Sequence, residues 1–319
     1  MDKNAKIFVA GHRGMVGSAI VRRLQAEGYS NLLLRSSTEL DLRVQTAVAA
    51  FFAEESPEYV FLAAARVGGI IANSTRKGEF IYDNLLIQTN VIHNAYTSGV
   101  KRLLFLGSTC IYPKFAPQPM PEECLLSGPL EPTNDAYAVA KIAGISMCRS
   151  YNDQYGTRFL SAMPNNLYGS NDNFDLTNSH VLPALMRKFH EAKLAASPQV
   201  DIWGTGTPQR EFLHVDDLAD ASLFLMDLSE GIFSSLLNDA TAPALINVGS
   251  GDEVSIKELA LLIKKMVSYD GSLVFDTSKP DGTPRKLADT SRLKSLGWKN
   301  KIGLQQGLQR TFEWYEQSL

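Results

Sequence analysis

Cysteine is scarce in this chain of 319 residues: only Cys110, Cys124 and Cys148 occur, and no pair of them has metal-site spacing. An odd number of scattered cysteines argues against a disulfide framework and favours a reducing compartment. Long hydrophobic runs are also missing, since none approaches the ~20 residues that cross a bilayer. The first residues lead straight into a strand-like run without a signal peptide. We therefore expect a cytoplasmic protein that holds no metal.

Net charge of either sign is small. The 31 Lys and Arg residues and the 34 Asp and Glu residues give a formal net charge of −3 at pH 7. This charge provides no general attraction to nucleic acid or to acidic membranes. An anionic ligand must therefore be held by local groups. The chain is long enough for one large domain with a smaller one beside it.

The first half of the chain alternates short β-branched runs with longer amphipathic stretches, which is typical of βαβ units and a parallel sheet. This pattern predicts strands at 6–10, 31–35, 59–63, 102–107 and 158–163. The clearest helical stretches are 18–26, 81–98, 137–155, 181–195 and 255–267. Ser255 and Glu258 are placed to cap the last of these helices. A short strand that leads into a helix is predicted at 210–221, and a last strand at 245–248.

These elements predict an α/β fold, with a Rossmann-type parallel sheet, helices on both of its faces and a smaller C-terminal substrate-binding lobe. We assign residues 1–169 and 209–250 to the domain that contains this sheet and residues 170–208 and 251–319 to the smaller lobe. Six of the 14 prolines lie between Pro113 and Pro132, which predicts a stiff irregular loop. Loops of this kind often line the ligand site of an open α/β sheet.

A glycine-rich loop joins the first predicted strand to the first helix, and it consists of Gly11, His12, Arg13, Gly14, Met15, Val16 and Gly17. Glycine permits a tight turn, close approach of the backbone to a pyrophosphate and close helix–strand packing. The helix N-terminus offers free N–H groups to phosphate. A glycine-rich turn without a ligand is the alternative, but the order of strand, loop and helix favours dinucleotide binding.

The end of the second predicted strand decides which dinucleotide is preferred. A carboxylate there would accept a hydrogen bond from the ribose 2′-hydroxyl, whereas an arginine would pair with a 2′-phosphate. Arg35 occupies this end, Arg13 lies within the glycine loop, and no acid follows until Glu39. Two cations near the ribose predict NADP(H); the alternative is that Arg35 is only a solvated strand end.

A serine, a tyrosine and a lysine form a second candidate constellation. Ser108 follows the fourth predicted strand, and Tyr137 and Lys141 lie four residues apart on one face of a predicted helix. A nearby ammonium lowers the pKa of a phenol from its usual ~10, which allows proton exchange with a carbonyl or alcohol oxygen. Each residue alone has a structural interpretation. Downstream of a nucleotide loop, the three together favour hydride-transfer chemistry.

With these motifs the chain resembles the extended short-chain dehydrogenases/reductases, and within them the enzymes that epimerise and reduce a GDP-4-keto sugar. The resemblance covers essentially all 319 residues. It rests on the segments FVAGHRGMVG (8–17), LAAARVGG (62–69), CIYPK (110–114), NSHV (178–181), REFLHVDD (210–217) and KPDGTPRK (279–286). It implies a homodimer, NADPH as reductant and conversion of GDP-4-keto-6-deoxy-D-mannose to GDP-L-fucose.

The resemblance also implies roles for individual residues. It gives the reductase trio as Ser108, Tyr137 and Lys141, and the epimerisation pair as Cys110 and His180. It places substrate contacts at Ser108, Val181, Lys188, Trp203, Arg210 and Asp281. It places further cofactor contacts at Leu106, Gly107, Tyr137, Lys141, Pro164, Asn165, Asn166, Leu167 and His180.

The residues themselves give a chemical reason for the epimerisation pair. A C4 ketone acidifies the protons on C3 and C5, and inversion needs a base on one face and a proton donor on the other. Cys110 lies two residues beyond Ser108, and a neighbouring imidazolium is one way to lower the pKa of its thiol. From the residues alone, a buried inert cysteine and a helix-capping histidine are as well supported; the resemblance favours catalysis.

Two other functions compete with this interpretation. A nucleotide-sugar 4-epimerase or 4,6-dehydratase of the same fold would keep NAD(H) bound, and a dehydratase would carry an acid pair where Thr109 and Cys110 stand. A dinucleotide-sensing regulator without catalysis would be expected to lose the tyrosine or the lysine. Both residues are present, which favours an enzyme.

Overall fold

The computed structural model describes residues 1–176, 178–239, 243–279 and 281–319. Its strands are β1 (Ile7–Ala10), β2 (Leu32–Leu33), β3 (Tyr59–Leu62), β4 (Arg102–Leu106), β5 (Phe159–Pro164), β6 (Asn166–Tyr168), β7 (Gln199–Trp203), β8 (Gln209–His214), β9 (Leu245–Val248), β10 (Glu253–Ser255), β11 (Ser272–Asp276) and β12 (Arg285–Lys286). Its helices are α1 (Met15–Ala26), α2 (Gln45–Glu55), α3 (Ile70–Thr75), α4 (Lys77–Thr97), α5 (Asp135–Tyr155), α6 (Val181–Leu194), α7 (Val215–Asp227), α8 (Glu230–Leu237), α9 (Ile256–Val267), α10 (Ser291–Ser295) and α11 (Leu304–Gln317).

The central sheet has six parallel strands in the order β2-β1-β3-β4-β5-β9. Its inner strands are buried on both faces; β4, for example, is buried at every position. This is the expected consequence of helices that cover both sides of a parallel sheet. One apolar core includes residues of α1 and α7, and another includes residues of α4 and α5. The predicted Rossmann-type fold is confirmed.

The five predicted strands of this sheet are all present, with small differences at their ends. The largest difference is at 31–35, where only Leu32 and Leu33 pair with β1. The first helix begins at Met15 rather than at residue 18, because Gly14 already takes the extended N-cap conformation. Met15, Val16 and Gly17 therefore belong to the helix, and the loop before it is shorter than the sequence indicated.

The second lobe is built around smaller sheets. Strand β8 pairs with β6, β10 and β12, while β11 pairs with β7. Helices α6, α9 and α11 supply most of the apolar core beneath them. The predicted cap of α9 is confirmed, because Ser255 and Glu258 form a reciprocal capping box.

Strand β9 forms at 245–248 as predicted, but the expectation that it is the last strand is wrong. Strands β10, β11 and β12 follow it. They are short and partly exposed, and β12 is only Arg285 and Lys286. Such strands lack the apolar alternation that sequence analysis recognises.

The predicted division into two domains stays a prediction, although some contacts bear on it. The chain leaves the central sheet after β5, and helix α7 returns to pack against α1. The two assigned domains include residues 177, 240–242 and 280, which lie outside the described residues. Residue 280 also belongs to the 279–286 motif. Across the described ranges, no helix has the length and apolar character needed to cross a membrane.

Candidate active site

The candidate site lies where parallel strands of the central sheet end. Gly11 follows β1, Ser108 follows β4 and Pro164 ends β5. Carboxyl ends of parallel strands share one edge of a sheet, and ligands of open α/β folds bind at that edge. The topology therefore brings together three segments that are far apart in the sequence.

The glycine loop has the geometry that a dinucleotide requires. Gly11 has φ +85°, and a side chain there would approach the backbone of Ala64 to 2.8 Å. At Gly17 a Cβ atom would lie 2.1 Å from the Gly11 carbonyl oxygen, so the helix can approach the loop only through glycine. No side chain caps the N-terminus of α1, and no acid stands in its first turn. The buried Nδ1 of His12 has no hydrogen-bond partner within the described chain. These features fit a bound pyrophosphate.

Arg13 and Arg35, the two arginines predicted to select the coenzyme, both lie near the Glu39 carboxylate, but only Arg35 is held by other groups of the described chain. Hydrogen bonds from Ser36 lower the pKa of Glu39, and the charges of Arg13 and Arg35 lower it further. Arg35 Nη2 is 2.5 Å from Glu55 Oε1, and its Nη1 donates to the Leu34 carbonyl. Arg13 is exposed in the glycine loop. Arg13 is thus the freer of the two cations for a 2′-phosphate.

Tyr137 and Lys141 are both buried on α5, and their pKa values are not shifted in the way that the sequence predicted. Lys141 Nζ donates to the Leu106 carbonyl at 2.8 Å and lies 5.8 Å from the centre of the Tyr137 ring. Burial lowers the pKa of Lys141 to about 7. Burial also raises the pKa of Tyr137, and the nearby Cys110 raises it further. The expected lowering of the tyrosine pKa by Lys141 is not seen, because burial disfavours the charged form of both groups.

Ser108 and the 164–167 segment line the neighbouring strand ends. The Ser108 hydroxyl accepts a hydrogen bond from the Cys110 amide at 3.3 Å. Asn165 is buried; its Oδ1 accepts from Thr109 Oγ1 at 3.2 Å, and its Nδ2 donates to Glu211. The same glutamate accepts from the amides of Gly251 and Ala288, at 2.7 Å and 3.0 Å. Leu106, Gly107, Pro164, Asn166 and Leu167 form the adjoining backbone. Glu211 therefore holds Asn165 and the backbone at Gly251 and Ala288 together next to the site.

Cys110 lies in a short 3-10 turn, and its thiol contacts a cation. Lys286 Nζ donates to Cys110 Sγ at 3.2 Å. Burial alone would raise the pKa of this thiol, but Lys286, Ser108 and Arg210 together lower it below its ordinary value. The sequence suggests an imidazolium as the cation near this thiol, but the structure places the Lys286 ammonium there.

His180 stands at the N-cap of α6. The residue as a whole is exposed. The protein around its ring disfavours the charged form, and the Lys286 ammonium repels a second positive charge, so the pKa of His180 is lowered. Lys286 thus influences the ionisation of both members of the predicted epimerisation pair.

The predicted substrate contacts divide into two groups. Arg210 is partly buried beside Cys110 and donates to the carbonyls of Gln209 and Thr283, at 2.7 Å and 2.6 Å. Farther along, Trp203 is 54% exposed, with the ammonium groups of Lys188 and Lys279 at 5.5 Å and 5.8 Å from its ring. Asp281 accepts hydrogen bonds from the amide and hydroxyl of Thr205, at 2.9 Å and 2.8 Å. Val181 follows His180 as the first residue of α6.

A narrow cleft beside Cys110 is lined partly by the proline-rich loop, as predicted. Its walls include Thr109, Tyr112, Pro113, Lys114, Gln118 and Lys286. Lys286 is not among the site residues predicted from the sequence. Its partner lies 176 residues earlier, so no local spacing joins the two.

Comparisons with known proteins agree with this arrangement. A model described as the NAD dependent epimerase/dehydratase family matches residues 7–235. The chain is 63% identical over 315 residues to the putative GDP-L-fucose synthase 2 of Arabidopsis thaliana, which covers 99% of this chain and 93% of that relative. It is 55% identical over 310 residues to the GDP-L-fucose synthase of Escherichia coli (strain K12), which covers 97% of this chain and 96% of the relative.

A solved structure shows the same likeness in three dimensions. The GDP-mannoheptose C4 reductase from Campylobacter jejuni with NADP bound has a TM-score of 0.91 and 46% sequence identity to this chain, and the match covers 99% of both chains. This similarity extends over both the central sheet and the second lobe.

Proposed function

The chain belongs to the NAD dependent epimerase/dehydratase family and, within it, to the GDP-L-fucose synthases, and we propose that it converts GDP-4-keto-6-deoxy-D-mannose to GDP-L-fucose. The proposed sequence is epimerisation at C3 and C5, followed by NADPH-dependent reduction at C4. The observation that carries the proposal is that Tyr137 of α5 packs in one cluster with Cys110, which together with Ser108 follows strand β4. Full-length identity to relatives with that name supports it.

In the epimerisation, Cys110 acts as the base and His180 as the proton donor. The lowered pKa of the thiol supports the first role, because a thiolate removes a proton more readily than a thiol. The C4 ketone holds the electron pair as an enolate, and the Ser108 hydroxyl is placed to stabilise that oxygen. Protonation from the opposite face then inverts the carbon.

In the reduction, Tyr137 donates the proton to the C4 oxygen. A tyrosine whose pKa is raised stays protonated at neutral pH, which is the form this direction requires. When bound, NADPH supplies the hydride. Lys141, with a pKa lowered to about 7, lies on the same helix and is held at the Leu106 carbonyl beside the cofactor site. We assign it to cofactor orientation and to stabilisation of the phenolate after proton transfer.

The cofactor and the substrate occupy mainly different parts of the chain in this proposal. Residues 1–169 and 209–250 form the NADP(H)-binding domain and residues 170–208 and 251–319 the sugar-nucleotide lobe, while Ser108, Tyr137 and Arg210 of the first domain contact the substrate. A guanidinium fork matches phosphate oxygens, so Arg210 suits the diphosphate. Trp203, with Lys188 near its ring, suits the nucleotide end. The three free thiols support a reducing compartment such as the cytoplasm.

The direct test is incubation with GDP-4-keto-6-deoxy-D-mannose and NADPH, followed by identification of the product. We expect GDP-L-fucose, with inverted configurations at C3 and C5. A product reduced at C4 but with both original configurations would indicate a C4 reductase, as in the structurally similar Campylobacter jejuni protein. Unchanged NADPH would overturn the proposal.

NADPH should bind more tightly than NADH, and Arg13→Ala should narrow that gap by about tenfold or more, since a charge-assisted phosphate contact is lost. Arg35→Ala should have the smaller effect, because Arg35 is already paired with Glu55. Dissociation constants for both coenzymes, measured at moderate salt, provide the test. Arg22→Ala serves as control, since that arginine is paired with Asp216 of α7. Equal affinities in the unmodified protein would contradict the assignment.

We also propose a homodimer in which α4 and α5 pair with their symmetry mates. These helices carry an aromatic cluster in which Tyr96 and Tyr155 stack at 4.2 Å, and Val139 is 44% exposed on the same pair. Exposed apolar groups on a helix pair suit an isologous interface. The mass in solution at micromolar concentration should be that of two chains. Val139→Arg should shift the mass towards one chain, and Leu261→Arg, at an exposed site on α9, should not. A monomeric unmodified protein would refute the dimer.

A further inference from the structure

Lys286 occupies a fixed position that aims its side chain at Cys110. Its strand, β12, pairs with β8, where Lys286 stands opposite Arg210. The next residues are held from two sides: the Leu287 amide donates to Gln118 at 2.8 Å, and the Ala288 amide donates to the buried Glu211. The ammonium is thus presented from a scaffold that spans the proline-rich loop and the second lobe.

Lys286 and the adjacent Arg285 bind different kinds of partner. Arg285, one residue earlier on the same strand, forms a two-pronged ion pair with Glu253 at 2.7 Å and 2.5 Å. Within the part of the chain that the structure describes, Lys286 forms no ion pair with a carboxylate, and its hydrogen bond goes to the Cys110 sulfur at 3.2 Å. A partly buried cation that has no carboxylate partner favours the ionised form of a neighbouring thiol.

We propose that Lys286 acts through Cys110: its ammonium, in contact with the sulfur, maintains the thiolate that removes the proton next to the C4 ketone. This inference rests on the proposed function of Cys110 as the base. In the step, the carbon–hydrogen bond breaks, a sulfur–hydrogen bond forms and the electron pair passes into the enolate. Lys286 keeps its proton throughout, so it is a positioning residue and not the base.

Other charged groups around the sulfur do not replace Lys286 in this role. Arg210 on β8 adds a weaker attraction, and its guanidinium is held by two backbone carbonyls. Tyr137 on α5 offers no positive charge to the sulfur; a negative charge on Cys110 instead raises the pKa of Tyr137. The pKa of His180, at the start of α6, is lowered first by the protein around its ring and then by the charge of the same lysine. Lys286 therefore provides the largest attraction to the anionic sulfur among these groups.

The first test measures the thiol without substrate, through the pH dependence of iodoacetamide alkylation. Cys110 should dominate the reaction near neutral pH, because burial raises the pKa of Cys124 to about 11 and that of Cys148 to about 12. Lys286→Met should move the alkylation midpoint of Cys110 upward by about one pH unit or more. Lys286→Arg, which keeps the charge, and Arg285→Met, which removes a charge one residue away, should leave the midpoint near that of the unmodified protein.

The second test follows deuterium exchange at C3 and C5 of the keto sugar with oxidised cofactor, across the same pH range. Below the midpoint of the unmodified protein, Lys286→Met should exchange about tenfold more slowly for each unit of upward shift. The rate should recover as pH rises through the higher midpoint of the variant. Loss of a phosphate contact would instead slow exchange at every pH and raise the substrate concentration needed for half-maximal rate.

The outcomes separate this inference from the proposed function. An unchanged alkylation midpoint in Lys286→Met overturns the inference, whatever the exchange rates are. If the midpoint rises and exchange slows with recovery at high pH, the inference is supported. If Lys286→Met exchanges normally while Cys110→Ser does not, the inference alone fails. If Cys110→Ser also exchanges normally, the proposed function of Cys110 has failed.

Discussion

Tyr137→Phe is expected to lower kcat for NADPH oxidation by about 10²–10⁴-fold, the usual contribution of a positioned general acid. The substitution removes only the phenolic oxygen, and the ring remains in the apolar cluster with Phe80. Cofactor affinity should therefore stay within a small factor of that of the unmodified protein. Stopped-flow absorbance of NADPH with the keto sugar measures the rate, and fluorescence titration measures the binding.

Tyr155→Phe on the same helix is the matched control. Tyr155 lies at the other end of α5 in the aromatic cluster, 45% exposed. Its phenylalanine variant should reduce the substrate at the normal rate. Normal turnover by Tyr137→Phe would show that another group delivers the proton. Deuterium exchange at C3 and C5 should survive in Tyr137→Phe, because that chemistry needs no hydride.

The fold was predictable wherever local patterns determine local structure. Buried parallel strands leave continuous apolar runs such as Leu103–Leu106, and a nucleotide loop leaves glycines at fixed spacing. The capping box of Ser255 and Glu258 is likewise a short-range pattern. These features need only neighbouring residues to form, so the sequence displays them directly.

The parts that escaped prediction depend on residues far apart in the chain. Strand β12 is two residues long, and its pairing with β8 joins segments more than 70 positions apart. The same pairing brings Lys286 to Cys110. Nothing in the local sequence distinguishes Glu211 from a surface carboxylate. It is nevertheless fully buried and accepts hydrogen bonds from Asn165, Gly251 and Ala288. Long-range contacts of this kind leave no periodic trace.

The ionisation of the site was also beyond the sequence, because burial decides it. The spacing of Tyr137 and Lys141 predicted proximity, and the pair does lie on one helix. Proximity alone indicated a lowered tyrosine pKa. Burial of both groups gives the opposite direction, and that direction suits a proton donor in a reduction.

Cys110→Ser is expected to abolish deuterium incorporation at C3 and C5 while leaving hydride transfer possible. Exchange requires a base at the sulfur position but no reductant, so it should proceed in heavy water with the keto sugar and oxidised cofactor. A serine hydroxyl is a far weaker acid than a thiol, whose unperturbed pKa is ~8.5. Even beside Lys286, serine should not ionise near neutral pH, and the exchange rate should fall below detection.

The same variant keeps Ser108, Tyr137, Lys141 and the glycine loop, so its reductase chemistry should remain. With NADPH it should reduce the ketone before epimerisation, and the product should be a 6-deoxyhexose with the original C3 and C5 configurations. Nuclear magnetic resonance of the product distinguishes this sugar from the L-fuco product. Cys124→Ala, which removes a buried thiol away from the sulfur of interest, should exchange and reduce normally.

His180→Asn provides the companion measurement. It removes the proposed donor but leaves Cys110 and Lys286 in contact, so the thiolate should still abstract protons. We expect partial exchange with little net inversion, because the proton returns from the face it left. Full exchange at both carbons in Cys110→Ser would show that another residue is the base. The reductase assignment would survive that result, since it depends on Tyr137 and the cofactor loop, whereas the epimerase assignment and the role given to Lys286 would both fail.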